Sequence, residues 1–168
     1  LDYPGTRLSD PIFWGVVKTY LGEDEVEKAV DLHQRYLTYA LSSPWLEQVL
    51  FDIGQHYFNK KAFTSAASIF RQFLWMYPEN DLQEWAYFML GESLFNEKDY
   101  GGAASAYQRV LEGRRKFDLE SRVYGRLGYA SFLAKDYDRA IQSWERLLKR
   151  FAELPERNEI NYWLGEAS

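Results

Sequence analysis

Gly54, Gly91, Gly128 and Gly165 stand thirty-seven residues apart, and the spacing holds without a gap. Twelve residues after the glycine position come Ala29, Ala66, Ala103 and Ala140. Sixteen after it come His33, Phe70, Tyr107 and Trp144, and twenty after it Leu37, Leu74, Leu111 and Leu148. A fixed period in the range of roughly 20–50 residues marks a stacked-repeat architecture. In such a chain each unit buries its apolar face on its neighbours, so the fold is nearly one-dimensional. That constraint biases function towards binding rather than chemistry.

Within each period two helical patterns alternate. In the third unit, Glu84 to Phe95 is apolar at 85, 87, 88, 90, 94 and 95, a helical spacing with a wide buried face. After the polar turn Asn96-Glu97-Lys98-Asp99, Tyr100 to Leu111 repeats the i, i+3, i+4, i+7 spacing. Gly22, Asn59 and Asn96 share one register position and are expected to take the left-handed conformation that ends a helix. Leu133 breaks that series. Pro44 and Pro155, with Asp81 and Asp118 between them, are expected to start helices, and Pro78 to end one. Each repeat glycine is expected to face the alanine twelve residues on (Gly54 with Ala66, Gly91 with Ala103, Gly128 with Ala140), where two helices approach closely. The frame then reads as an irregular lead-in at 1–10 with the turn signal Pro4-Gly5, and repeat units at 11–47, 48–84, 85–121 and 122–158. A fifth unit begins at 159–168, and the chain is expected to be a fragment of a longer protein.

Composition excludes several classes. A net charge of −5 argues against nucleic acid or an anionic membrane surface as partner, since both favour a basic face. No cysteine is present, so no disulfide framework or thiolate site is possible. No run of about eighteen apolar residues exists to span a membrane. Aromatic residues make up 18% of the chain, enough to serve both inter-helix packing and a binding surface.

These marks resemble the tetratricopeptide repeat. Tyr87, Leu90, Gly91, Leu94, Tyr100, Ala103 and Tyr107 carry the match in the third unit, and Tyr124, Leu127, Gly128, Tyr137, Ala140 and Trp144 in the fourth. The second unit offers Ile53, Gly54, Tyr57, Phe63, Ala66, Phe70 and Pro78; in the first, Val17 replaces the glycine while Tyr20, Val26 and Ala29 remain. Tyr162-Trp163-Leu164-Gly165-Glu166-Ala167 opens a fifth. The family's usual period is shorter by three residues, placed here at the end of the second helix and in the connection after it. The resemblance implies an all-α, right-handed superhelical solenoid of antiparallel helix pairs. The string Phe70 to Asn80 and the one opening at Tyr162 are similar to repeats of bacterial envelope proteins, the TolA-binding and outer-membrane assembly members among them. That likeness implies a periplasmic or envelope location, with the cytoplasm as the other choice.

No catalytic constellation stands out. His56 follows Asp52 by four residues, the geometry of a carboxylate–imidazole pair, but a metal site needs further ligands. His33 occupies an aromatic slot and reads as a packed ring. Glu23-Asp24, and Glu92 with Glu97, read as solvated charges. Arg114-Arg115-Lys116 reads as a helix-end run that complements the helix dipole. No phosphate loop or zinc-protease string occurs. The expectation is therefore no enzyme, no cofactor and no metal.

The resemblance instead directs attention to the concave face lined by first helices. Its groove places fall here on Trp14, Lys18, Gln48, Phe51, Gln55, Asn59, Trp85, Phe88, Glu92, Asn96, Arg122 and Tyr129. The Lys and Asn that clamp a partner's terminal carboxylate in some members are replaced by Phe51 with Gln55, Phe88 with Glu92, and Gly125 with Tyr129. An aromatic groove is expected to take a protein segment through apolar anchors, making the chain an interaction scaffold. Phe51 and Phe88 can also be read as packing between adjacent units. The competing function is a receptor for glycans or peptidoglycan fragments, because aromatic grooves with Gln and Asn also stack on sugars. Partners are expected to be proteins, with self-association through the terminal helix as one form, since Tyr162 and Trp163 cannot both point inwards with Leu164. Neither nucleic acid nor membrane insertion is expected.

Overall fold

The computed structural model describes residues 8–113, 118–151 and 153–167, and every regular element among them is an α-helix. In chain order these are α1 (Asp10–Gly22), α2 (Val26–Leu37), α3 (Trp45–Asn59), α4 (Phe63–Met76), α5 (Gln83–Asn96), α6 (Tyr100–Glu112), α7 (Glu120–Leu133), α8 (Tyr137–Arg150) and α9 (Arg157–Ala167). The basic run at 114–116 and the Pro4-Gly5 turn lie outside the described residues. Helix α1 begins at Asp10, one residue inside the expected lead-in, and α3, α5 and α7 begin two or three residues ahead of the frame counted from Pro11. The chain forms two compact units, Leu1–Asn80 and Asp81–Ser168. In the first, α1 packs on α2 and α3, α2 on α3, and α3 on α4; in the second, α5 through α9 each pack on the next.

The first unit is closed by Phe13 stacked on Tyr36, with ring centroids 3.8 Å apart and planes 6° from parallel. Val17, Ala29, Leu32, Leu46, Val49 and Ile53 complete that core. His33 is 2% exposed in the same layer, its Nε2 3.2 Å from the Leu46 carbonyl, which makes Nε2 the protonated nitrogen. Burial holds its pKa below that of a free imidazole. In the second unit Tyr124, Ala140, Trp144, Leu147 and Ile160 form the corresponding cluster.

Gly54, Gly91 and Gly128 face rings, not alanines, while Gly165 has nothing within 4 Å of an added Cβ. A Cβ on Gly54 would lie 2.9 Å from Cε1 of Phe70, and one on Gly91 2.6 Å from Cε1 of Tyr107. At Gly128 the Trp144 indole is closer still. The ring sixteen residues on, from the second helix of the pair, thus lies directly on bare first-helix backbone. Ala66, Ala103 and Ala140 are fully buried, but they are not the nearest neighbours that keep the glycines small.

The turns inside the pairs also differ from expectation. Gly22, Asn59 and Asn96 are the last residues of their helices. The left-handed residues come two positions later, at Asp24, Lys61, Lys98 and Lys135, with φ of 62°, 59°, 65° and 63°. The geometry therefore repeats in the fourth unit, where Leu133 breaks the sequence series. In each turn one N–H reaches back five residues (Glu25 to Tyr20, Ala62 to Tyr57, Asp99 to Leu94, Asp136 to Ser131, at 2.8–2.9 Å), and the preceding N–H reaches back three. This is a Schellman closure, which satisfies helix-end carbonyls. Forcing a side chain into that conformation costs about 1–2 kcal/mol, and the paired bonds offset it. The next residue can then cap the second helix: Asp99 accepts from the Gly102 N–H at 2.9 Å and Asp136 from the Arg139 N–H at 3.3 Å. Helices α5 and α7, by contrast, are capped at Leu82 and Leu119 without a side-chain bond, so the expected caps Asp81 and Asp118 stand one residue outside.

Two outcomes follow from this packing. Gly91→Ala drives a methyl into the Tyr107 ring, and overpacking of this kind costs about 1–3 kcal/mol. Gly15, inside α1, has nothing within 4 Å of an added Cβ, so Gly15→Ala raises stability by roughly 0.5–1 kcal/mol. Urea midpoints of the two variants should move in opposite directions. The second outcome concerns pH. The unfolded chain protonates His33 near the free value of 6.5, while the folded chain does so only at lower pH. The stabilisation is full above that free value and is lost as pH falls through the folded one. Melting temperatures from about pH 7 down to about pH 5 should fall, and His33→Phe should flatten that slope.

Candidate functional site

Helix α7 turns one stripe of residues, at 121, 122, 125, 126 and 129, towards the start of α9. The spacing of one, three or four residues keeps all five on one face. Across from them stand Glu156, Glu159, Ile160 and Trp163, with Trp144 and Leu147 of α8 and Leu154 of the connecting segment. Together they line an open pocket of about 380 Å³ within the unit Asp81–Ser168. Tyr129 and Trp163 pack at one end with centroids 5.5 Å apart, and Phe132 backs Trp163 at 5.3 Å. Trp163 donates from Nε1 to Glu159 at 3.4 Å. Trp163 and Leu164 pack against the core cluster while Tyr162 remains 60% exposed, the division expected from the three adjacent side chains.

Beneath the α7 wall lies a buried ionic knot. Glu92 of α5, 8% exposed, receives both Nε of Arg126 at 2.6 Å and an Nη of Arg126 at 2.9 Å. The Tyr107 hydroxyl donates to the same carboxylate at 2.6 Å. Bidentate contact with an ionised partner is the strong form of hydrogen bond. Burial, then the Glu92 charge, pushes the Tyr107 phenol far above its ordinary value. Burial works to lower the Arg126 pKa, but the Glu92 and Tyr107 contacts outweigh it and the net direction is upward. The Arg126 guanidinium also lies 4.2 Å from the Phe95 ring centroid. Glu92 is thus not the solvated charge the sequence suggests. Arg122 stands at the edge of the knot, 4.0 Å from Glu92 and 5.5 Å from the centroid of Phe88, with a largely exposed side chain.

The other groove positions divide by burial. Phe51 and Phe88 are each 4% exposed and pack on second-helix rings. Trp85 is partly exposed beside Phe88, and Asn96 is exposed, donating to the Glu92 backbone carbonyl at 2.8 Å. In the unit Leu1–Asn80, Trp14 packs on Trp45 at 5.0 Å, with the Lys18 ammonium 4.2 Å from its ring. The Trp14 indole nitrogen is buried near Asp52 without closing a hydrogen bond. Gln48 donates to Asp52 at 2.7 Å, and burial still raises that carboxyl's pKa. Gln55 is half-buried and Asn59 exposed. His56 pairs not with Asp52 but with Asp24, at 2.9 Å, a carboxylate that Lys60 shares at 2.9 Å. The left-handed turn at Asp24 brings that carboxylate to α3. No group of three or more His, Asp or Glu side chains placed to hold a metal ion occurs among the described residues.

A family model described as "Outer membrane lipoprotein", YfiO, matches residues 11–116, well over half of the chain. The chain belongs to this family. A tetratricopeptide repeat model matches residues 126–168. No curated protein sequence matches the chain. Among solved structures, a crystal structure of MamA aligns with TM-score 0.66 and 18% identity, over 94% of this chain and 80% of MamA. MamA from Desulfovibrio magneticus RS-1 gives 0.67 and 16%, over 96% and 85%. The TPR2AB domain of yeast Sti1, in complex with pHSP90, gives 0.59 and 17%, over 94% and 69%. At these identities the likeness concerns the fold, which is all-α and of the tetratricopeptide type. No helix among the described residues is long and apolar enough to cross a membrane.

For this member of the lipoprotein family, the pocket and knot bring together Arg122, Tyr129 and Glu92, which the groove reading named, with Trp163, named only for self-association, and with Arg126 and Glu159, which the sequence reading did not name. One signal was available for Arg126: its register mates are Gly15, Asp52, Met89 and Trp163, so a cation there departs from the repeat. Removing one partner of a buried ion pair costs about 3–5 kcal/mol. With the Arg126 side chain 27% exposed, Arg126→Met should destabilise the unit by about 2–3 kcal/mol. Glu92→Leu combined with Arg126→Met should recover most of that loss in a denaturant double-mutant cycle.

Proposed function

We propose that this chain is a non-enzymatic adaptor that binds a segment of a partner protein along its first helices, in a bacterial envelope assembly. The observation that carries this reading is the open pocket between α7 and α9, which combines an apolar floor with charged rims. Recognition sites for protein segments have that make-up, with apolar anchors held by a few placed polar groups. Arg122 and Tyr129 supply contacts there. Trp85 and Asn96 offer exposed surface in the same unit, and Lys18 and Asn59 do so in the other, beside the half-buried Trp14 and Gln55. Phe51, Phe88 and Glu92 act from beneath as supports. Membership of a family of outer membrane lipoproteins supports the envelope and the periplasm as the location. The Sti1 module, solved in complex with pHSP90, is a similarly folded protein with a partner bound.

A photo-cross-linking amino acid placed at Arg122 or Tyr129 should capture a discrete protein from envelope extract. The same group at Arg146, exposed on α8, should capture none. Identical labelling from all three positions, or capture of glycan material alone from the first two, would overturn the adaptor reading.

A further inference from the structure

The slot three residues before the repeat glycine position holds Trp14, Phe51, Phe88, Gly125 and Tyr162 in successive units. Four are aromatic and the fourth unit alone has glycine. Where the slot is filled in the second unit, Phe51 lies edge-on to Phe70 at 5.6 Å and to Phe73 at 5.7 Å. In the third, Phe88 packs 6.1 Å from Tyr107. The register mates of Phe70 and Phe73 in the fourth unit are Trp144 and Leu147. Those two residues, with Gly125, line the pocket. The pocket therefore occupies the place where the second and third units put a ring of their own.

Packing does not demand this glycine. A Cβ on Gly125 would meet only Leu147 Cδ2, at the ordinary contact distance of 3.7 Å, unlike the close approaches at Gly54, Gly91 and Gly128. A glycine inside a helix is otherwise unfavourable, so the opening is a feature in its own right. Its volume of about 380 Å³ exceeds the roughly 150 Å³ of an apolar cavity that takes up benzene. The rim is charged in two halves. The α7 wall holds Arg122 and Arg126, only one of which Glu92 neutralises, and the opposite wall holds the exposed Glu156 and Glu159.

Resting on the adaptor reading above, we infer that this pocket receives an aromatic side chain of the partner protein. The ring lies on Trp144 and Leu147 in the place a phenylalanine takes in the second and third units. The partner segment carries an acidic residue facing Arg122 and a basic residue facing Glu156 and Glu159. Ring and opposed charges together fix both the anchor and the direction of the bound segment.

The test uses the peptide acetyl-Asp-Phe-Lys-amide and its counterpart with Ala for Phe, titrated into the whole chain. Indole N–H signals of Trp144 and Trp163 are followed by NMR. The phenylalanine peptide should bind at least about tenfold more tightly than the alanine peptide, a difference typical of a filled apolar pocket. Gly125→Phe and Gly125→Leu fill the hole from within, and each should weaken the phenylalanine peptide by a similar factor while circular dichroism shows the helices intact. Equal affinity for the two peptides in the unaltered chain overturns the inference, whatever the variants do. So does a dimer of the chain that Gly125→Phe dissolves while the peptide is inert, because a second copy is then the occupant. Cross-linking from Arg122 and Tyr129 separates this failure from that of the adaptor reading. A captured protein with no preference for the aromatic peptide sinks only the ring. Peptide preference with no captured protein sinks only the adaptor.

Discussion

An aromatic ring pressed onto a helix that bears no side chain at the contact is the interaction on which the other features depend. In the second, third and fourth pairs, the ring of Phe70, Tyr107 or Trp144 rests where a Cβ on the repeat glycine would collide with it. The short three-residue turns bring the two helices of a pair together, and the glycine lets the ring enter between them. Ring identity then decides what each pair can do. Phe70 offers only apolar surface, Tyr107 carries a hydroxyl to Glu92, and Trp144 supplies the floor of a pocket. The first pair has Val17 and His33 in these places, and it closes through the Phe13–Tyr36 stack.

The Tyr107 hydroxyl leads directly to the ionic knot. A buried carboxylate is costly unless it is paired and hydrogen-bonded. Glu92 has Arg126 in bidentate contact, the tyrosine hydroxyl and the edge of Arg122. Arg126 is committed to this arrangement and lies over Phe95. Arg122, one helical turn earlier on α7, keeps its side chain towards solvent. The two arginines therefore divide their work: one holds α5 to α7, while the other is available at the rim of the pocket. Every residue of this arrangement lies within a single compact unit.

The proposed adaptor role needs no desolvated nucleophile or shared proton. It needs rigid walls and one place where the repeat is left incomplete. The Schellman closure at Lys135 joins the α7 wall to α8, and those at Asp24, Lys61 and Lys98 do the same within the other pairs, since each ends one helix and hands the next residue over to the start of the following one. At Gly125 the chain leaves its own aromatic slot empty. A repeat protein can create a site by omission, because neighbouring units define the shape of what is missing.

The sequence by itself determined the helix pairs, the thirty-seven-residue register and the absence of thiol chemistry. These follow from local spacing, which the chain carries whatever its tertiary contacts. His33 as a packed ring was legible for the same reason, because its place in the register is aromatic. Tertiary structure alone decided what each glycine faces, since a twelve-residue and a sixteen-residue offset both lie on the adjoining helix and only packing chooses between them. It also decided the left-handed turn positions. Backbone bonding selected Lys61 and Lys98 over Asn59 and Asn96, which have the better intrinsic preference. Glu92 read as solvated because its partner Arg126 lies thirty-four residues away, and His56 met Asp24 across thirty-two. Pairings at that distance depend on how helices dock, and a one-dimensional pattern does not contain that information.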